Sequence, residues 1–178
     1  MSVKRDAVIG DVVRMFRRHG YDGATMSVIS AETSLGRSSI YHHFPGGKAQ
    51  MAACALRKVG DHFERVIFPA LYAPGTLDAR MRRMGTQLRA YYEGGKLGCL
   101  LGAFARSGTT PEIRTQANAL LEAWVEAIVK ARRSETDESR KVARDRAMDY
   151  VCALQGALVV VALTGKPRSL LRALERTD

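Results

Sequence analysis

The sequence predicts an all-α protein, and three observations carry that reading. Apolar residues recur three and four positions apart along nearly the whole chain, which gathers them on one face of a helix. Strand-like alternation of apolar and polar residues is nearly absent. The breaks between periodic segments fall at Gly, Pro or short polar clusters, where helices stop and start.

The first segment spans about residues 3–19, with Val8, Val12, Met15 and Phe16 on one face and Gly20 as its stop. Thr25 is placed to cap a short second helix carrying Val28 and Ile29. Ser34-Leu35-Gly36 forms a turn, and a third short helix covers about residues 37–44, burying Ile40 and Phe44. Pro45-Gly46-Gly47 ends it. A long fourth helix runs over about 48–68, striped by Met51, Ala55, Val59, Phe63 and Val66, with Pro69 expected to close it.

Leu77, Met81, Met84, Leu88 and Tyr91 stripe the next helix, which Gly94-Gly95 breaks. Residues 97–104 form a short, very apolar helix. Thr110 and Pro111 supply a cap and a first helical position for a helix with Ile113, Ala117, Leu120, Trp124 and Ile128 on one face. Leu121, Val125 and Val129 widen that face. After a polar loop at 134–139 comes a helix that is apolar on all sides from 151 to 163, Gln155 apart, and so needs burial on several sides. Gly165 and Pro167 end it, and Leu170, Leu171 and Leu174 mark a short last helix. No internal repeat is visible. A boundary near Lys48 divides the chain into domains 1–47 and 48–178.

With 46% hydrophobic and 26% charged residues, the 178-residue chain has the balance of a soluble globular protein. Its net charge of +10 favours an anionic partner without locating a face for one. Residues 1–48 hold seven Lys+Arg against four Asp+Glu, and the excess continues through the remainder. Cys54, Cys99 and Cys152 are odd in number and far apart, which argues against a disulfide framework or a zinc site and suits a reducing compartment. Charges spread over residues 1–18 are unlike a signal peptide, and the apolar stretch 150–163 falls short of the ~20 residues of a membrane span. The expectation is a cytoplasmic protein with no membrane contact, no cofactor and no metal. His42 and His43 are adjacent and diverge on a helix, and His19 and His62 have no partner pattern for a metal either.

Three short helices with a three-residue turn between the second and third fit a helix-turn-helix. Burying Ile40 and Phe44 leaves Arg37, Ser38, Ser39, Tyr41 and His42 on the outer face, a set rich in donors for base edges and phosphates. No Ser/His/Asp arrangement, phosphate loop or His-Glu-x-x-His helix is present, so the sequence is read as a non-enzyme. An all-helical enzyme with a site assembled only in space is one competing reading. A helical interaction module that has lost DNA binding is the other.

Gly20-Tyr21-Asp22-Gly23, then Thr25, Ile29 and the run Ile40-Tyr41-His42-His43-Phe44-Pro45-Gly46-Gly47-Lys48 resemble the N-terminal signature of the TetR/AcrR family of transcriptional regulators, over about residues 5–56. The Pro-Gly-Gly-Lys form and the later Gly98-Cys99-Leu100-Leu101-Gly102 resemble the subgroup that includes LmrA and YxaF. The resemblance implies an N-terminal three-helix DNA-binding domain and a C-terminal helical ligand-binding and dimerisation domain. Thr25, Tyr41 and Lys48 would then contact phosphates of double-stranded operator DNA; Arg37, Ser38 and Ser39 would face base edges or nearby backbone; His42 would sit at the groove edge. Intact Tyr41 and Lys48 speak against the interaction-module reading.

It also implies a repressor released from a palindromic operator by a small apolar or aromatic effector. Met81, Met84, Leu88, Tyr91, Cys99, Phe104, Leu121 and Trp124 would line the effector site, with plain core packing the competing role for each. A homodimer would form through a four-helix bundle bearing Trp124, Ile128, Tyr150, Leu154, Ala157, Leu158 and Val161. The chain departs from the family pattern at Thr33 and Ser34, where Ala and Gly are usual, and at Gly36, where a capping Ser is common.

Overall fold

Gly20 sets the first corner. In the computed structural model, which describes residues 3–105 and 108–177, α1 (Val3–Gly23) loses helical geometry at Gly20, with φ 69° and ψ −179°. Only glycine adopts that conformation readily. α2 (Met26–Thr33) begins at Thr25, whose hydroxyl accepts the Val28 N–H at 3.4 Å. It ends at Ser34, a non-glycine residue in the left-handed region with φ 53° and ψ 27°. Around it the Ser30 hydroxyl donates to the Leu35 carbonyl and the Thr33 hydroxyl to the Ile29 carbonyl, each at 2.6 Å. A side chain held there costs about 1 kcal/mol. Ser34→Gly is therefore expected to raise stability by about 1 kcal/mol, read as a higher urea midpoint at unchanged slope. An unchanged midpoint would mean that the left-handed turn costs the serine nothing.

α3 (Arg37–His43) starts at Gly36 without a side-chain cap. α4 (Gly47–His62) does not stop at Pro69. It widens into a π turn at Phe63–Ile67, where the Phe68 N–H reaches the Phe63 carbonyl, and resumes as α5 (Phe68–Tyr72). The expectation of a helix end at Pro69 is corrected for a physical reason. The π turn re-registers the ladder, and Pro69 falls at the start of a new α segment, where its missing N–H is harmless.

α6 (Leu77–Tyr91) is capped by Thr76, a 3₁₀ turn follows at Glu93–Gly95, and α7 (Leu100–Ala105), α8 (Pro111–Arg133), α9 (Arg140–Thr164) and α10 (Arg168–Leu174) complete the chain. Thr110 caps α8 through the Ile113 N–H and Ser139 caps α9 through the Val142 N–H. The described residues contain helices and no strand.

Two compact units emerge: Met1–Asp61 with Cys99–Leu120, and His62–Gly98 with Leu121–Asp178. Residues 48–61 and 99–120 thus pack with the N-terminal helices, so compactness and the functional boundary expected at residue 48 are different divisions. In the first unit the Phe104 ring stands edge-on to Phe16 at 5.1 Å and to Tyr21 at 6.0 Å. The Gly108 N–H donates to both Asp22 carboxylate oxygens, at 3.1 and 2.9 Å.

In the second unit Arg132, 3% exposed, donates from Nε to Glu138 at 2.7 Å and from Nη1 to the Thr177 carbonyl at 3.2 Å. Arg146 approaches the other Glu138 oxygen at 3.3 Å. Burial pushes the Glu138 carboxyl up, but the Arg132 hydrogen bond and charge, with Thr136 and Arg146, outweigh it and leave the acidity strengthened. At Gly85 an added Cβ would lie 2.5 Å from the Leu174 carbonyl, so α6 and α10 meet backbone to backbone.

The residues expected at a dimer seam lie inside the second unit. Trp124, Ile128, Tyr150, Leu154, Ala157, Leu158 and Val161 are only 0–7% exposed and form the second unit's own core. α9 is apolar almost all round over this stretch, so periodicity could not say which stripe turned inward. The stripe it leaves at the surface is Cys152, Gly156, Val159 and Leu163, with Leu163 82% exposed. α9 has the length and apolar content of a membrane span, with a window of mean hydropathy 1.7. Eight of its residues are nonetheless buried in the unit, and Arg144 pairs with Glu122 of α8 at 2.6 Å.

Candidate nucleic-acid interface

The α2–turn–α3 segment separates an inner face from an outer one. Ile29 and Ile40 are 2% and 1% exposed, and Phe44, just past α3, is 1% exposed. Val28, expected beside Ile29, is only half-buried, and Thr33 takes up the inward position. With that anchor fixed, the helical period turns Arg37, Ser38, Ser39, Tyr41 and His42 outward, and all five are exposed. Tyr41 presents its ring at 46% exposure, which a core aromatic would not do. His43 is half-buried, between the His42 ring at 5.6 Å and the Phe44 ring at 6.3 Å.

Flanking residues hold the outer face in place. Thr25 is exposed at the start of α2, its hydroxyl within 3.0 Å of the Ser27 hydroxyl. The turn after α3 is closed by the Gly47 N–H to the Phe44 carbonyl at 2.8 Å and by Gln50, which accepts the Gly46 N–H at 2.9 Å. Lys48, in the first turn of α4, lies with Nζ 4.5 Å above the Tyr21 ring, a cation–π contact that limits where the ammonium can go. Burial, with the Asp22 charge, pushes the Tyr21 hydroxyl's pKa up.

Several cations of this unit are already neutralised. Arg14 pairs with Asp11 at 2.6 Å, Arg18 with Glu32 at 3.1 Å and Lys58 with Asp6 at 2.7 Å. The hydrogen bond with His19 lowers the Glu32 carboxyl below its ordinary value against some burial, and Arg18 adds to it. Arg37 and Lys48 pair with no carboxylate among the described residues. Arg37 on α3 and Lys48 just after it are therefore available to an external anion at the donor-rich face.

The sequence drew attention to the α3 residues and Lys48 but gave no role to Tyr21 and Asp22. Their partners, Phe104 and Gly108, lie more than 80 residues on, and no local spacing signals such contacts.

The residues expected at an effector site are drawn from both units. Met81, Met84, Leu88, Tyr91, Leu121 and Trp124 belong to the second unit, whereas Cys99 and Phe104 belong to the first. Phe104 takes part in the first unit's aromatic core. In the second unit Phe63, on the π turn, stands edge-on to Tyr91 at 5.4 Å and to Trp124 at 5.2 Å, and His62 stacks on Tyr91 at 5.2 Å. The Trp124 indole N–H and the Tyr150 hydroxyl are buried without a hydrogen-bond partner. Burial also holds the Tyr150 phenol well above its ordinary pKa. No cluster of three or more metal-ligating side chains occurs among the described residues.

The family model for bacterial regulatory proteins of the tetR family matches residues 13–53. The HTH-type transcriptional regulator LmrA of Bacillus subtilis is 30% identical over 69 residues, 39% of this chain and 37% of that protein. The chain spans less than half the length of the curated relatives it matches. Among solved structures, a TetR transcriptional regulator from Legionella pneumophila superposes with a TM-score of 0.88 at 16% identity, over 100% of this chain and 97% of that one. The TetR family regulator CifR, solved with 26 bp double-strand operator DNA, superposes with a TM-score of 0.77 at 20% identity, over 97% of this chain and 94% of that one. Its helix-turn-helix segment matches the tetR family model, and over its full length the chain shares the fold of TetR regulators.

Proposed function

We propose that this protein is a cytoplasmic, homodimeric, DNA-binding transcriptional regulator, a repressor that a small molecule releases from a palindromic operator. The observation that carries the DNA-binding part is the outer face of α3. Arg37, Ser38, Ser39, Tyr41 and His42 all reach solvent beside Lys48, and neither Arg37 nor Lys48 has a carboxylate partner among the described residues. Arg37, Ser38 and Ser39 take base edges or nearby backbone, Tyr41, Thr25 and Lys48 take phosphates, and His42 sits at the groove edge. Residues 1–47 act as the reading head and 48–178 as the effector and dimerisation part. Two heads on a two-fold dimer address successive major grooves, ~34–36 Å apart. The CifR structure with operator DNA supports the DNA partner by fold.

The dimer surface we propose is the exposed α9 stripe of Cys152, Gly156, Val159 and Leu163, in place of the buried residues first expected. The effector reading rests on the aromatic cluster around Phe63 and on the Trp124 N–H and Tyr150 hydroxyl, two buried donors lacking acceptors. Buried donors normally find acceptors, so an apolar or aromatic effector that carries an acceptor oxygen suits them. By linkage, an effector that weakens DNA binding is itself bound less tightly by the DNA-bound form.

A gel-shift titration with the DNA upstream of the protein's own gene, at fixed moderate salt, tests the head. Tyr41→Phe and Lys48→Ala are each expected to weaken specific binding about tenfold, as loss of a phosphate contact does. Sequence-specific binding that both variants retain in full would remove the interface from α3 and the α4 start. Selection from random DNA covers an operator that lies elsewhere in the genome.

A further inference from the structure

Helices α9 and α10 border an open groove of about 830 Å³, within the range of small-molecule sites. Its floor is small and apolar: Ala153, Ala157 and Val160 from α9, with Ala173 from α10. Its rim is cationic, with Lys166, Arg168, Arg172 and Arg176, and no carboxylate lines it.

The groove is a built feature. Gly165, in the left-handed conformation with φ 67°, ends α9 so that α10 folds back along it. The buried Leu170 and Leu174 anchor α10, and the Ser169 hydroxyl donates to the Ala157 carbonyl at 3.3 Å. Arg168 and Arg172 stand four residues apart on α10, which stacks like charges on one side of the final helix. Such spacing is unfavourable in isolation. Lys166, Arg168 and Arg172 pair with no carboxylate among the described residues. An apolar trough beside Lys166, Arg168 and Arg172, three cations without a carboxylate partner, matches a molecule with an apolar body and an anionic head.

The groove face of α9 is also separate from the stripe assigned to the dimer. Ala153, Ala157, Val160 and Thr164 follow Cys152, Gly156, Val159 and Leu163 by one residue each, about 100° around the helix. A dimer through the second stripe leaves the first beside it.

We propose that this groove binds an amphipathic anion, with the chain of an acyl-type tail on the alanine floor and a carboxylate or phosphate head among Arg168, Arg172 and Lys166. The site stands apart from the DNA-reading assignment and survives its failure.

Isothermal titration of the full chain with dodecanoate, dodecyl phosphate and dodecanol, each below its micelle concentration, tests the site. Saturable binding of at least one anion is expected, with the uncharged alcohol at least about tenfold weaker. The tighter of the two anions identifies the head group, and inorganic phosphate alone is expected not to compete. Replacing both exposed arginines, Arg168→Ala with Arg172→Ala, should weaken the anion at least about tenfold and leave the alcohol unchanged. Val160→Asp, a second exposed site, should abolish binding of the tail. A thermal melt of each variant checks that the fold is kept. Equal binding of alcohol and anion, or unchanged affinity in both variants, overturns the proposal. So does sedimentation showing that Val160→Asp converts a dimer to a monomer, since the groove would then be the seat of a second copy.

Discussion

Arg132→Ala is expected to destabilise the protein by about 3–5 kcal/mol, the cost of leaving a buried charge without its partner. Arg132 is 3% exposed and reaches two separate segments, Glu138 in the loop before α9 and the Thr177 carbonyl near the end of the chain. Glu138 is itself only 10% exposed along its side chain, so water cannot replace the guanidinium. Arg146 lies 3.3 Å from one carboxylate oxygen but is not aligned for a hydrogen bond, and it is half exposed. It would compensate in part. The strengthened acidity of Glu138 fixes the sign of a pH effect. The pair's contribution is complete above the ordinary glutamate range and is lost as the pH falls through the lowered folded value. Urea unfolding at neutral pH should show the full loss in the variant, and the gap from wild type should narrow in acid. A loss below about 1 kcal/mol at neutral pH would show that the pair behaves as a solvated one.

Phe104→Ala carries the second large effect, about 3–5 kcal/mol, typical of removing a buried phenylalanine. The ring is 2% exposed and closes an aromatic triangle with Phe16 and Tyr21. Tyr21 in turn carries the Lys48 ammonium on its face. The expected signature is therefore double: a lower unfolding midpoint, and weaker operator binding in folded protein, with effector affinity unchanged. Normal stability together with altered effector binding would return Phe104 to the effector site.

The N-caps at Thr25 and Thr110 were legible in the sequence, because each depends on residues within a few positions. The outward set on α3 was legible for the same reason. Once Ile40 and Phe44 are inward, the helical period leaves no choice for Tyr41 and His42. The failures share a different cause. Pro69 was read as a stop because the π turn before it has no composition of its own. Which stripe of α9 packs into the unit was not legible because its faces are equally apolar. The ring contacts of Phe104 were not legible because its partners, Phe16 and Tyr21, are remote in the chain. Local grammar is written in local residues. The choice among equally apolar faces is settled only by what the rest of the chain brings up against them.

The first unit is assembled from two pieces of chain, with residues 62–98 lying between them in sequence. This has a consequence for the order of events on the ribosome. The three N-terminal helices emerge first, but Phe104 and the Gly108 amide that complete their packing are still to be polymerised. At ~5–20 residues per second, tens of residues of delay amount to seconds. During that interval Phe16 and Tyr21 lack the ring that covers them. The head should therefore mature late, after the chain has passed residue 108, and a nascent chain stalled before that point should remain open to proteolysis within α1.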